Sequence, residues 1–150
     1  MLARSYINRQ VKTALKEDLG KLGDITSKAL IQKNQKSVAI IKLKENAVLC
    51  GLELAVATFK TIDNKIKIVS KKTDGRKFKK GTVVLKIKGS TRSILIAERT
   101  ALNFLGLMSG IATKSKIYAD IARPYGVKIY STRKTIVGIR DLEKYALTKG

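Results

Sequence analysis

Between Ile66 and Ser90 the hydrophobic period of this chain is two. "KIKIVSKK" places Ile66 and Ile68 on one face and lysines on the other, and "TVVLKIKGS" alternates in the same way until Gly89. A strand with one wet side belongs to a sheet covered on one face only, so the rest of the chain must supply the cover. The intervening "TDGRKFKKG" is turn chemistry. Upstream, "SVAIIKL" (residues 37–43) is β-branched and apolar, and "AVLCG" after a short "KEN" break predicts a further strand or a hairpin. Two segments have the helical period. In "LELAVATFKTI", Leu54, Ala55, Thr58, Phe59 and Ile62 share one side; in the opening segment, Leu2, Tyr6, Ile7, Val11, Ala14, Leu15 and Leu19 recur at three and four, and Gly20 is placed to stop the helix. "GDITS" reads as a turn whose Asp24 caps the segment after it. The expectation is an α+β sandwich domain over residues 1–107, with helices on one face of a mainly antiparallel sheet.

Beyond that the texture changes. "SILIAERTALNFLGLMSGIATKSKIYADIA" (residues 93–122) predicts one long, largely apolar helical stretch interrupted near Ser109 and Gly110. "PYG" stops it, "VKIYSTRK" (residues 127–134) predicts a short strand ending in a basic loop, and a second helix begins after Gly138 with Ile139, Leu142, Tyr145 and Ala146 aligned. Helix, strand, loop and helix in this order open a parallel α/β unit. A closed barrel of such units needs on the order of 200 residues or more. Residues 108–150 are therefore expected to be the start of an α/β barrel that is incomplete in this chain.

The formal net charge is +21, from 32 Lys plus Arg against 11 Asp plus Glu. Such a surface attracts any polyanion. The lysines are spread along the whole chain and only 5% of residues are aromatic, so clustered cations and stacking residues are both missing from the case for a nucleic-acid module. A lysine-rich solvated surface and a site for small, highly charged substrates remain open together. The absence of histidine excludes His-based catalysis and His-liganded metals within these residues. The single Cys50, in an apolar run, reads as a buried thiol, and one cysteine fits a reducing compartment. With no uninterrupted apolar run near the ~20 residues of a membrane span and no signal-peptide core, the expectation is a soluble, cytoplasmic protein with no membrane partner.

Two places carry cations in patterns that suit anions. In "AERTALNFLG", Arg99 and Asn103 lie four apart and point from one helix face, which is either a solvated helix end or a guanidinium fork aimed at a carboxylate or phosphate. A strand running into Thr132, Arg133 and Lys134 delivers a hydroxyl and two cations to its C-terminal end, where α/β architectures hold ligands, and Arg140 and Lys144 follow at i, i+4. By spacing alone an ordinary basic loop, in a chain with 32 basic residues, is the better account of the second pattern.

"EDLGKLGDITS", "AVLCGLELA", "KKGTVVLKIKGSTRSILIAERTALNFLGLMSGIAT" and "STRKTIVGIRDLEKYAL" resemble, in order and in texture, the quinolinate phosphoribosyltransferase family from about residue 13 to the last. The resemblance implies a type II phosphoribosyltransferase of de novo NAD synthesis, a pentosyltransferase. Such an enzyme joins quinolinate to phosphoribosyl pyrophosphate with Mg²⁺ and releases pyrophosphate, CO₂ and nicotinate mononucleotide. It implies an N-terminal α/β sandwich, an open barrel and a homodimer. Arg99, Thr132, Arg133 and Lys134 match positions that line the substrate site. Lys134 is implied as the catalytic cation, and Arg99 as the arginine lent across the dimer interface.

The chain departs from the family pattern in the loop, where "TTPG" with its proline is usual and this chain has Ile136 and Val137 between Thr135 and Gly138, and at Ser131, where aspartate is common. The family's histidine-arginine pair, a further lysine and the acidic residues near metal and ribose fall beyond Gly150. The Mg²⁺ ligands are therefore expected outside this chain, and catalysis by this chain alone is in doubt. A molybdenum-associated paralogue of the same fold is the alternative within the resemblance.

Overall fold

The computed structural model describes residues 2–150. Three strands, β1 (Lys36–Lys42), β3 (Lys67–Lys71) and β5 (Val83–Ser90), form an antiparallel sheet in the order β1-β5-β3. Ala39, on β1, and Ile68, on β3, each lie opposite Ile87 on β5, and these side chains face the core while Lys86 and Lys88 face outward. The alternation read from the sequence is thus the pleat of a half-buried sheet.

Among the described residues five α-helices accompany it: α1 (Arg4–Leu19), α2 (Ile25–Leu30), α3 (Leu52–Ile62), α4 (Thr91–Ala122), which runs into a 3-10 turn (Arg123–Tyr125), and α5 (Arg140–Leu147). Only one sheet face is covered. Leu52, Ala55 and Phe59 of α3 and Ile94, Ala97, Ala101 and Leu105 of α4 pack on Leu85 and Ile87 of the sheet. On the other side of α3 and α4 lies a second cluster, built from Ile7, Val11 and Leu15 of α1, Leu54, the α4 residues Phe104, Met108 and Ala112, and the α5 residues Leu142 and Ala146. The order of layers is therefore sheet, α3 with α4, then α1 with α5.

Helix α4 is continuous through Ser109 and Gly110, where an interruption was expected. Its own side chains explain why. Ser109 Oγ accepts from the Cys50 amide at 3.0 Å and donates to the Cys50 carbonyl at 3.0 Å, and Thr113 Oγ1 accepts from the Val48 amide at 2.9 Å. These hydroxyls satisfy backbone of the short strand β2 (Ala47–Val48) and its continuation, which a buried edge would otherwise leave unpaired. Ser109 is selected here for its partner strand and not for helix propensity. By length and composition α4 could cross a membrane; its apolarity is accounted for by two buried faces, one toward each cluster.

Of the two readings of "AVLCG", the strand is present as β2 and the hairpin with β1 is not: β2 pairs with β4 (Lys77–Phe78), inside the stretch read as turn. The strand expected over residues 127–134 is also absent, and those residues are exposed. Among the described residues no neighbouring strand lies beside this segment to accept its backbone bonds, and an extended segment without a ladder is not a stable strand. Two local readings hold: Gly20 ends α1 at φ +51°, and Asp24 Oδ1 accepts from the Ser27 amide at 2.9 Å at the start of α2. The 107/108 boundary falls within α4, so the two parts of the chain share one helix.

Ser109→Ala leaves the buried Cys50 amide without an acceptor and should lower the unfolding free energy by about 1–3 kcal/mol in urea melts. A methyl group at Gly110 meets nothing within 4 Å, so Gly110→Ala should raise stability by up to about 1 kcal/mol in the same melts.

Candidate functional site

Arg99 projects from the first half of α4 with a side chain 74% exposed, and its Nη1 pairs with Asp18 Oδ1 of α1 at 3.0 Å. Exposed pairs of this kind contribute about 0–1 kcal/mol, so Asp18 orients the guanidinium without sequestering it. Arg99 lines an open hollow of about 460 Å³ with Asp18, Asp24, Thr26 and Ser27. The Asp24 carboxyl sits below its ordinary range, chiefly because Ser27 donates to it from side chain and backbone, with a small contribution from Arg99. Asn103, one turn on, lines a neighbouring hollow of about 420 Å³ with Glu17, Asp18 and Thr100. The shared direction read from the i, i+4 spacing is toward the end of α1.

The basic loop is held by α5. Lys144 Nζ donates to Ser131 Oγ at 2.6 Å, Arg140 Nε donates to Thr135 Oγ1 at 3.1 Å, and Glu143 Oε1 accepts from the Ile136 amide at 3.3 Å. Thr132 Oγ1 accepts from the Lys134 amide at 3.2 Å, a tight turn that sends the next side chains outward. Arg133 and Lys134 are exposed, and neither forms an ion pair among the described residues. Gln10 Nε2 of α1 donates to the Gly138 carbonyl at 3.0 Å and fixes the far end of the loop.

The chain does not bring Arg99 and the loop together. Arg99 is tied to Asp18 and the loop to Gln10, eight residues earlier on α1, about 12 Å along the helix axis. No hollow has both Arg99 and residues of the loop in its lining among the described residues.

The family model for the quinolinate phosphoribosyl transferase N-terminal domain matches residues 24–109. The chain belongs to the quinolinate phosphoribosyltransferase family. A Nicotiana tabacum protein named quinolinate phosphoribosyltransferase (decarboxylating) 1b is 41% identical over 140 residues, which are 93% of this chain and 39% of the tobacco protein. A Methanocaldococcus jannaschii protein named probable nicotinate-nucleotide pyrophosphorylase (carboxylating) is 34% identical over 151 residues, covering 99% of this chain and 52% of that one. The structure of the nicotinate-nucleotide pyrophosphorylase from Francisella tularensis superposes with a TM-score of 0.94 at 34% identity, over 100% of this chain and 52% of the other. The chain thus spans about half the length, or less, of these relatives. Arg99 lies inside the matched domain, and the loop lies beyond its end. The mixed helix and sheet of the family's N-terminal domain is the architecture described above.

Among the described residues no three His, Cys, Asp or Glu side chains are grouped so as to hold a metal. Cys50 is fully buried, and burial, with the Asp74 charge second, pushes its thiol up to about 12. It stays protonated and is no nucleophile.

Sequence reading missed Asp74. From the β3–β4 turn, its Oδ2 accepts from the Gly51 amide at 2.9 Å and its Oδ1 from the Leu52 amide at 3.1 Å, capping α3 from a distance of more than twenty residues in the chain. Tyr145 of the family-like "EKYA" segment donates to Asp74 Oδ2 at 3.3 Å. Burial and then Asp74 raise the Tyr145 phenol. The only hint in the sequence was that α3 begins with Gly51 and has no capping side chain of its own.

An unfolded thiol ionises near 9.0 and the folded one near 12, so between those values the folded state keeps a proton that the unfolded chain has lost. Stability should therefore fall as pH rises from about 9 to about 12, and Cys50→Ala should flatten that slope in urea midpoints taken across the range, with Tyr145 accounting for part of what is left.

Proposed function

We propose that the chain serves in a carboxylating nicotinate-nucleotide pyrophosphorylase, which converts quinolinate and phosphoribosyl pyrophosphate into nicotinate mononucleotide, pyrophosphate and CO₂. One observation carries the reading. Arg133 and Lys134 are two exposed cations without an ion pair among the described residues, at the end of a segment that α5 grips at three points, in a chain whose whole length superposes on a nicotinate-nucleotide pyrophosphorylase. Quinolinate is a dicarboxylate and its co-substrate a polyphosphate, so bringing them together requires cations that offset their repulsion. Arg133 supplies a bidentate fork for a carboxylate, Lys134 a compact charge beside the reacting centre, and Thr132 a hydroxyl next to both. Developing negative charge on the pyridine ring during decarboxylation is stabilised by the same fixed cations.

In this reading residues 127–134 are the first strand of the barrel, which pairs once the strands of the family's second half stand beside it. The separation of Arg99 from the loop supports a homodimer in which Arg99 of one copy serves the site of the other. Exposed Leu95, Leu102 and Leu107 along α4 are the kind of apolar surface that such a contact covers. Mg²⁺ accompanies the pyrophosphate of the co-substrate and takes its protein ligands outside residues 2–150. The cytoplasm is the proposed location, consistent with a lone buried thiol in a reducing compartment.

Reading the gene downstream of codon 150 decides whether the family's second half is encoded in the same frame. In isothermal titration of quinolinate into the longest polypeptide the gene encodes, Arg133→Ala and Lys134→Ala should each weaken binding by about tenfold or more, the equivalent of one lost charge-assisted hydrogen bond. Affinities equal to that of the unsubstituted protein would remove the assigned site.

A further inference from the structure

We propose that Asp74 and Tyr145 are positioning residues, which set the rotation of α5 and through it the placement of the loop that carries Arg133 and Lys134. The inference rests on the reading of that loop as the anion site, and concerns residues that no substrate would touch.

The anchor is rigid. The Gly75 amide donates to the Leu49 carbonyl at 2.8 Å, the Leu49 amide donates to the Arg76 carbonyl at 3.0 Å, and Leu49 is fully buried. Asp74 stands on this turn with both carboxylate oxygens already committed to the first amides of α3. Tyr145 adds a third bond to a group that cannot move. Gly75 has φ +82°, and a Cβ there would lie 3.3 Å from Lys149 Cδ, so the end of the chain lies directly over the turn. Lys149 Nζ lies 5.0 Å above the Tyr145 ring.

Helix geometry explains the effect of the bond. Leu142 and Ala146 are the buried residues of α5, and they are four apart, on a single line along the helix. One line of fully buried contact, with Ile139 and the Tyr145 ring half-buried beside it, fixes where a short helix lies and resists its rolling only weakly. Tyr145 is one residue from Ala146, about 100° around the axis, so its bond to Asp74 stops the roll. Arg140, Glu143 and Lys144 are on the same eight-residue helix and grip Thr135, Ile136 and Ser131. Rotation of α5 therefore carries the loop with it.

Arg133 and Lys134 are themselves trypsin sites, which makes the coupling measurable. Tyr145→Phe removes one hydroxyl and keeps the ring, Leu142 and Ala146. In limited trypsinolysis of the native chain, followed by mass spectrometry, it should raise cleavage after Arg133 and Lys134 by about tenfold, the effect of one lost hydrogen bond to a charged acceptor on local opening. Cleavage after Lys79 and Lys80, in the β4–β5 turn, is the internal reference and should not change. Asp74→Asn should repeat the loop effect and add cleavage within α3, after Lys60. Loop cleavage that is unchanged in Tyr145→Phe, or that rises only in step with cleavage after Lys79 and Lys80, overturns the proposal. Quinolinate titration of the same variant separates the two readings. Faster loop cleavage with weaker binding supports both. Faster loop cleavage with unchanged binding supports the tie and removes the loop from the substrate site.

Discussion

The structure depends on α4 having two apolar faces. Ile94, Ala97, Ala101 and Leu105 descend one side of the helix onto the sheet, while Phe104, Met108 and Ala112 descend the other onto α1 and α5. At about 0.8 kcal/mol per buried methylene, neither cluster could be kept with α4 displaced. The helix also satisfies the backbone of β2 and its continuation through Ser109 and Thr113, so it serves as both core and edge partner. Gly51, at φ +97°, lets the chain turn from β2 into α3, and a Cβ there would stand 3.0 Å from Met108 Sδ and 3.1 Å from the Phe104 carbonyl oxygen, tighter than ordinary contact. A single helix thus sets the distance between the sheet and the α1–α5 layer, and with it the distance between Arg99 and the basic loop.

The elements legible in the sequence are those whose pattern is local. Helix α3 occupies the eleven residues read as "LELAVATFKTI" because its apolar stripe has a helical period over its whole length. β3 and β5 follow from alternation, interrupted where Val84 and Leu85 are both buried and where the β3 register shifts after Ile68, and Asp24 from a capping signal with its donor three residues on. The misreadings share a cause. Ser109 and Gly110 looked like a break because propensity weighs a residue by its own backbone, and the backbone that needs Ser109 belongs to Cys50, fifty-nine residues away. The expected strand over residues 127–134 has a convincing pattern, but a strand is a property of a pair, and pattern shows one member.

The candidate site divides along the same line. Thr132, Arg133 and Lys134 could be named from sequence because they are adjacent and carry charge or a hydroxyl. The devices that hold them could not. Each joins a polar side chain to a group at a distance that no period predicts: Lys144 to Ser131, Glu143 to the Ile136 amide, Gln10 to the Gly138 carbonyl.

Charge decides whether such a loop can work as an anion site. With a net +21, the average field over this surface already favours anions, but an average field does not orient a dicarboxylate. Orientation needs cations that are fixed and not already neutralised. Lys116 and Arg123 fail the second condition because both pair with Asp120, whose carboxyl they hold below its ordinary range. Arg133 and Lys134 meet it outright. Arg99 occupies the middle ground: its bond to Asp18 aims the guanidinium, and with 74% of its side chain exposed the fork stays open to solvent, so it meets the first condition fully and the second in part.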